Sequence, residues 1–192
     1  MARNGTKCSC SGNAPTPTDD SETRAERGTV LEFHNLFSLN KIKYIKGDRP
    51  KVDCIFCAIV GRVKEVHKLL VYEGERVFIS VNKYPYNSGH LLICPKRHIV
   101  DYRELSPEEK REIDGLLRRS LDILDRLYAP SGYNIGYNVG EFAGASLPHL
   151  HMHVIPRYPN ELGFIDIVGG AKILVEDPDQ TMKNLKKAFG DT

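Results

Sequence analysis

Residues 149–157 read His-Leu-His-Met-His-Val-Ile-Pro-Arg, so three imidazoles alternate with Leu150, Met152 and Val154. Successive side chains of a strand leave opposite faces. The three apolar residues therefore share one face, and His149, His151 and His153 line the other at spacings of about 6.6–6.8 Å. Pro156 brings no N–H and limits the strand. The apolar face demands a core, and the histidine face wastes three polar groups unless something engages them.

The rest of the chain supplies that core. Short β-branched and aromatic runs at Leu69–Tyr72, Val77–Val81 and His90–Cys94 are separated by turn compositions, Glu73-Gly74-Glu75-Arg76 and Pro85-Tyr86-Asn87-Ser88-Gly89, which reads as an antiparallel meander. Ser106-Pro107-Glu108-Glu109 opens a helix, with Ser106 as cap, Pro107 at the first helical position and Glu109 completing a capping box. Ile113, Leu116, Leu117, Leu121, Leu124 and Leu127/Tyr128 make its apolar stripe. Strands at Tyr133–Val139 and His149–Ile155 follow, joined by the Gly- and Ala-rich loop 140–148, and a charged helix is expected after Pro178. The predicted class is α+β: a five-stranded antiparallel meander, one long packed helix, and peripheral N- and C-terminal helices.

Residues 1–27 hold almost nothing large and apolar. They cannot offset the entropy of ordering and read as a flexible tail, with Cys8 and Cys10 as stray thiols. Residues 28–192 form the expected single domain: an arm at 28–50 (a short helix, then an extended stretch from Val30 to Ile45), a core at 51–158 and an extension at 159–192. With 27 Lys+Arg against 25 Asp+Glu, the net charge is +2. No global field exists to hold nucleic acid or an anionic membrane, so neither is an expected partner. There is no apolar run of membrane-spanning length and no secretory start, so a cytoplasmic location is expected.

Two chemistries suit the histidine face: three neutral imidazoles on one metal ion, or a nucleophilic middle imidazole whose neighbours fix its tautomer and handle protons. The flanking residues favour the second. Asn138, Gly144, Ala145 and Ser146 precede the histidines and Arg157 follows them. An amide, a hydroxyl and small-residue backbone N–H groups make a cradle for phosphate oxygens, which points to attack on phosphorus through an N–P intermediate.

From Val52 to about Tyr158 the chain resembles the histidine-triad family of nucleotide hydrolases and transferases. Asn82-Lys83-Tyr84-Pro85-Tyr86-Asn87-Ser88-Gly89-His90-Leu91 is similar to the family's Pro-Gly-His-like turn, with Ser88 in place of proline. The resemblance implies that His151 is the nucleophile and that His153 assists at the phosphate and leaving group. Asn138 and Ser146 would hold phosphate oxygens, and Asn82 the ribose hydroxyls. Within the family the diadenosine tetraphosphate phosphorylase branch looks closest, supported by the arm, the Asn82–Gly89 turn and residues Phe164 and Ile167–Lys172. Phe37 and Asn40 depart from that branch, as does Pro148 directly before His149. Hydrolytic members commonly carry glutamine at the position of Ala145, and an alanine there leaves room for inorganic phosphate. The expected reaction is diadenosine tetraphosphate plus phosphate to ADP and ATP. The alternatives are hydrolysis or a slow nucleotide-binding module. A homodimer or higher homo-oligomer and no organic cofactor complete the expectation.

Cys54 and Cys57 have the two-residue gap of a metal knuckle, although a redox pair or two buried small residues fit the spacing too. His98 and His149 are the candidates to complete the set, and the resemblance implies structural zinc. No role is assigned to His34, His67 or Cys94, and His90 is expected to shape its turn rather than take part in chemistry.

Overall fold

Five antiparallel strands carry the fold in a computed structural model that describes residues 51–161, 174 and 176–190. The tail, the arm with His34, Cys8, Cys10, and Phe164 with Ile167–Lys172 lie outside the described residues. In chain order come α1 (Ile55–Val60), β1 (Leu70–Glu73), β2 (Val77–Val81), β3 (Leu91–Pro95), α2 (Pro107–Tyr128), β4 (Gly132–Tyr137), β5 (Met152–Arg157) and α3 (Pro178–Gly190). The sheet order is β1-β2-β3-β5-β4. The first three strands run as the expected meander, while the last two are exchanged.

Burial explains the exchange. β4 is mostly exposed and suits an edge, whereas Met152, Val154 and Pro156 of β5 are buried and need neighbours on both sides. β5 therefore pairs with β3 through Leu92↔His153 and with β4 through Gly136↔His153.

The period of two sorts the sheet into two faces. Val77, Ile79, Val81, Leu91, Ile93, Leu150, Met152 and Val154 meet Ile113, Leu116, Ile123 and Leu124 of α2 and Leu185 and Phe189 of α3 in one core. Phe78, Leu92 and Cys94 face the other way, against Phe56, Ala58 and Ile59 of α1 and Val66. Ser106 caps α2 as expected: its Oγ accepts the Glu109 N–H at 3.2 Å, and Glu109 Oε2 accepts the Ser106 N–H at 2.8 Å. The stripe is rotated slightly from the expected one. Ser120 and Ile123 are buried while Leu127 is 45 % exposed. Gly89, at φ +79°, turns the chain into β3 where a Cβ would sit 3.1 Å from Leu124 Cδ2 and 3.2 Å from Pro156 Cγ. Only glycine meets both demands.

Candidate functional site

The strand expected from His149 begins only at Met152: His149 lies in a bend, and Leu150 and His151 lie before the ladder. The three rings have different surroundings. His149 is buried, and its Nε2 lies 2.9 Å from the Pro95 carbonyl. A carbonyl only accepts, so Nε2 carries the proton and the Nδ1 lone pair is free. That lone pair meets Cys54 Sγ at 3.3 Å and Cys57 Sγ at 3.6 Å, and His98 Nδ1 lies 3.3 Å from Cys57 Sγ.

These donors fit a tetrahedral ion. Zn–S near 2.3 Å and Zn–N near 2.0–2.1 Å give a sulfur-to-nitrogen edge of about 3.6 Å, and all four donor atoms lie within 4.8 Å of one another. Cys54 is also the N-cap of α1, and its sulfur accepts the Cys57 N–H at 3.5 Å. Burial and the facing Cys54 thiol push Cys57 up to about 11, a penalty that a coordinated cation removes by taking the thiolates. The cluster suits a closed zinc centre, with the Pro95 carbonyl orienting one ligand from behind.

His151 Nδ1 lies 2.7 Å from the His149 carbonyl. Nδ1 therefore donates, and Nε2 keeps its lone pair. The Phe56 ring of α1 sits 5.1 Å from the His151 ring and 5.4 Å from that of His149. Burial lowers the pKa of both His149 and His151, so the His151 imidazole is neutral at physiological pH.

His153 is organised by a residue assigned only to a turn. The Tyr86 backbone N–H donates to His90 Nδ1 at 3.1 Å. His90 Nε2 then bears the proton and donates to His153 Nδ1 at 3.0 Å. His153 is thereby left with Nε2–H, a buried donor without a hydrogen-bond partner among the described residues. Burial, reinforced by His153 and His151, lowers His90 to about 3, and burial with His151 lowers His153 to about 4. The Tyr86 ring stacks on His90 at 5.3 Å. His90 was legible in principle, since it shares strand parity with Leu92, the partner of His153.

A cavity of about 140 Å³ opens on this face. Its lining combines polar residues, Asn82, Asn138, Gly144, Ser146, His151 and His153, with apolar ones, Ile55, Phe56, Ile59, Val66, Leu69 and Leu92. Asn138 Nδ2 donates to the Gly144 carbonyl at 3.4 Å, and Asn82 Oδ1 accepts the Tyr84 N–H at 3.0 Å. Two expected residues are not brought to the lining. The Ala145 N–H is spent on the Gly140 carbonyl at 3.3 Å. Arg157 is held by Glu161 through Nε and Nη2, both at 2.7 Å, and by Asn134 Oδ1 at 2.7 Å. Its guanidinium is used in bracing the end of β5.

The fold is an antiparallel α+β domain that brings an alternating histidine run to an open cleft, and the HIT domain model matches residues 63–160. The chain belongs to the HIT domain family. It is 34% identical over 116 residues to the AP-4-A phosphorylase of Mycobacterium tuberculosis, a match that spans 60% of this chain and 60% of that protein. It is 32% identical over 88 residues to the asymmetrical bis(5'-nucleosyl)-tetraphosphatase of Schizosaccharomyces pombe, covering 46% of this chain and 48% of that one. Among solved structures, a zinc-bound histidine triad family protein from Mycobacterium smegmatis superposes with a TM-score of 0.59 at 27% identity, over 72% of this chain and 94% of that one. No helix among the described residues is long and apolar enough to cross a membrane.

Proposed function

We propose that the chain is a nucleotidyltransferase that cleaves diadenosine tetraphosphate with inorganic phosphate to ADP and ATP. The observation that carries this reading is the pair of complementary tautomers in two residues that line one cavity: His151 keeps an Nε2 lone pair and His153 an Nε2–H, with ring centroids 4.8 Å apart. In the first step His151 Nε2 attacks the α-phosphorus, an N–P bond forms, and the bond from that phosphorus to the bridging oxygen breaks. ATP leaves with the electron pair, and the His153 Nε2–H donates a hydrogen bond to the leaving oxygen. In the second step a phosphate oxygen attacks the same phosphorus. The N–P bond breaks, ADP forms, and His151 recovers its neutral imidazole. Asn138, Ser146 and Gly144 line the region where the non-bridging oxygens would lie. Zinc at Cys54, Cys57, His98 and His149 would have a structural role, tying α1 to the start of the histidine run.

The mycobacterial relative's name supports phosphorolysis, and the yeast relative's supports the hydrolytic alternative. Product analysis with and without phosphate separates them. Phosphate-dependent appearance of ADP is the expected result. AMP plus ATP at a rate indifferent to phosphate would refute phosphorolysis and leave a hydrolase using the same two imidazoles.

A further inference from the structure

His67 has a place that its isolated position in the sequence did not show. It lines the cavity next to Val66 and near Leu69 in the chain, both of which are buried and line it too. Its Nε2 lies 2.9 Å from Asp179 Oδ1 on α3. The carboxylate accepts, so Nε2 carries a proton, and in the neutral imidazole Nδ1 is then an acceptor with no hydrogen.

This inference rests on the reading that a nucleotide lies in the cavity with its α-phosphorus at His151. The phosphate end fixes the direction of the rest. Asn82 lines the cavity where the sugar would pass, and the slot walled by Ile55, Phe56, Ile59 and Leu92 is left for the flat, apolar faces of the base. The walls take the ring faces and make no distinction among purines. A purine's edge, however, is polar and must meet the rim, where His67 is half exposed. Adenine offers a 6-amino donor at that edge, whereas guanine and hypoxanthine offer a 6-oxo acceptor. An Nδ1 acceptor pairs with the first and opposes the second.

We propose that His67, with its tautomer held by Asp179, selects adenine over 6-oxopurines in the base slot. The discrimination comes chiefly from the wrong base, which sets two acceptors facing each other at the rim. One mismatched pair of this kind is worth about tenfold or more in affinity.

The test is calorimetric binding of AMP and IMP, which differ at the 6-position, at pH 8.5. Wild type should bind AMP about tenfold tighter than IMP. His67→Leu should bring the two within about threefold, and Asp179→Leu should give an intermediate ratio because the freed imidazole can adopt either tautomer. His67→Gln, whose amide rotates to donate or accept, should also flatten the ratio, and it carries the test if the leucine variant fails to fold. Equal AMP and IMP affinity in wild type, or a ratio that survives in both His67 variants, overturns base selection while the nucleotide reading stands. Failure of wild type to bind either nucleotide overturns the nucleotide reading, and this inference with it.

Discussion

Lowering the pH from 7.5 to 5.0 should destabilise the protein through His90 by an amount that the structure sets. His90 is fully buried, with Nδ1 accepting from Tyr86 and Nε2 donating to His153. A second N–H on that ring, at Nδ1, would face the Tyr86 N–H and find no acceptor, and the folded value falls to about 3, against about 6.5 in an unfolded chain. Between those values the unfolded state binds a proton that the folded state refuses. The contribution is therefore complete above about pH 6.5 and is lost as pH falls towards 3. At pH 5.0 the unfolded imidazole lies about 1.5 units below its midpoint, and the loss is about 2 kcal/mol. This figure needs only that the folded value stay below 5. Urea unfolding of wild type and His90→Gln at both pH values isolates the term, because zinc release and the other histidines act in both proteins. Wild type should lose about 2 kcal/mol more than the variant, a relative shift in midpoint of about 1 M for an m-value near 2 kcal/mol/M. Identical pH dependence in the two proteins would refute the protonation scheme and the relay built on it.

His151→Ala should abolish the adenylyl-enzyme seen by mass spectrometry after brief mixing with diadenosine tetraphosphate, while AMP affinity changes by no more than about threefold, since the lost ring makes no stable ground-state bond. Cys57→Ser should lose bound zinc in metal analysis. Its Tm should fall by more than the roughly 2–4 °C that 1 kcal/mol is worth in a chain of this size, because metal binding is folding energy. Ser106→Ala should cost about 1 kcal/mol in urea unfolding by removing the α2 cap, with phosphorolysis unchanged.

The sequence carried more of the site than of the sheet. Alternation alone placed His149, His151 and His153 on one face, since period two is a property of any extended strand, and the Ser106 box predicted the start of α2 because capping is decided within four residues. Strand order was not legible: whether β5 lies inside or outside β4 depends on how much of each the rest of the chain buries. The same limit hid His67 and, until the β3–β5 pairing was known, His90. Each is locally an unremarkable polar residue, and its role comes from partners 63 and 112 positions away, His153 and Asp179. Arg157 shows the reverse error. Its charge and position beside the run suggested an anion ligand, but Glu161, four residues on, takes Nε and Nη2, and Asn134 takes Nη1.

His149 brings the two halves of the site together, and its two functional groups can be separated. The ring faces Cys54 and Cys57, whereas the carbonyl holds the His151 proton. A side-chain substitution removes the first and keeps the second, because every residue supplies a carbonyl. His149→Ala should therefore lose zinc and thermal stability, as Cys57→Ser should, and its nucleotide affinity should weaken as α1, which lines the cavity through Ile55, Phe56 and Ile59, comes loose. The adduct on His151 should still form at saturating substrate, because the tautomer of the nucleophile is set by the backbone. The contrast with His151→Ala is the test: a raised KM with a retained adduct separates the ring of His149 from the chemistry. A folded His149→Ala protein that binds AMP as tightly as wild type yet forms no adduct would place that ring among the reacting groups and make the run a catalytic trio.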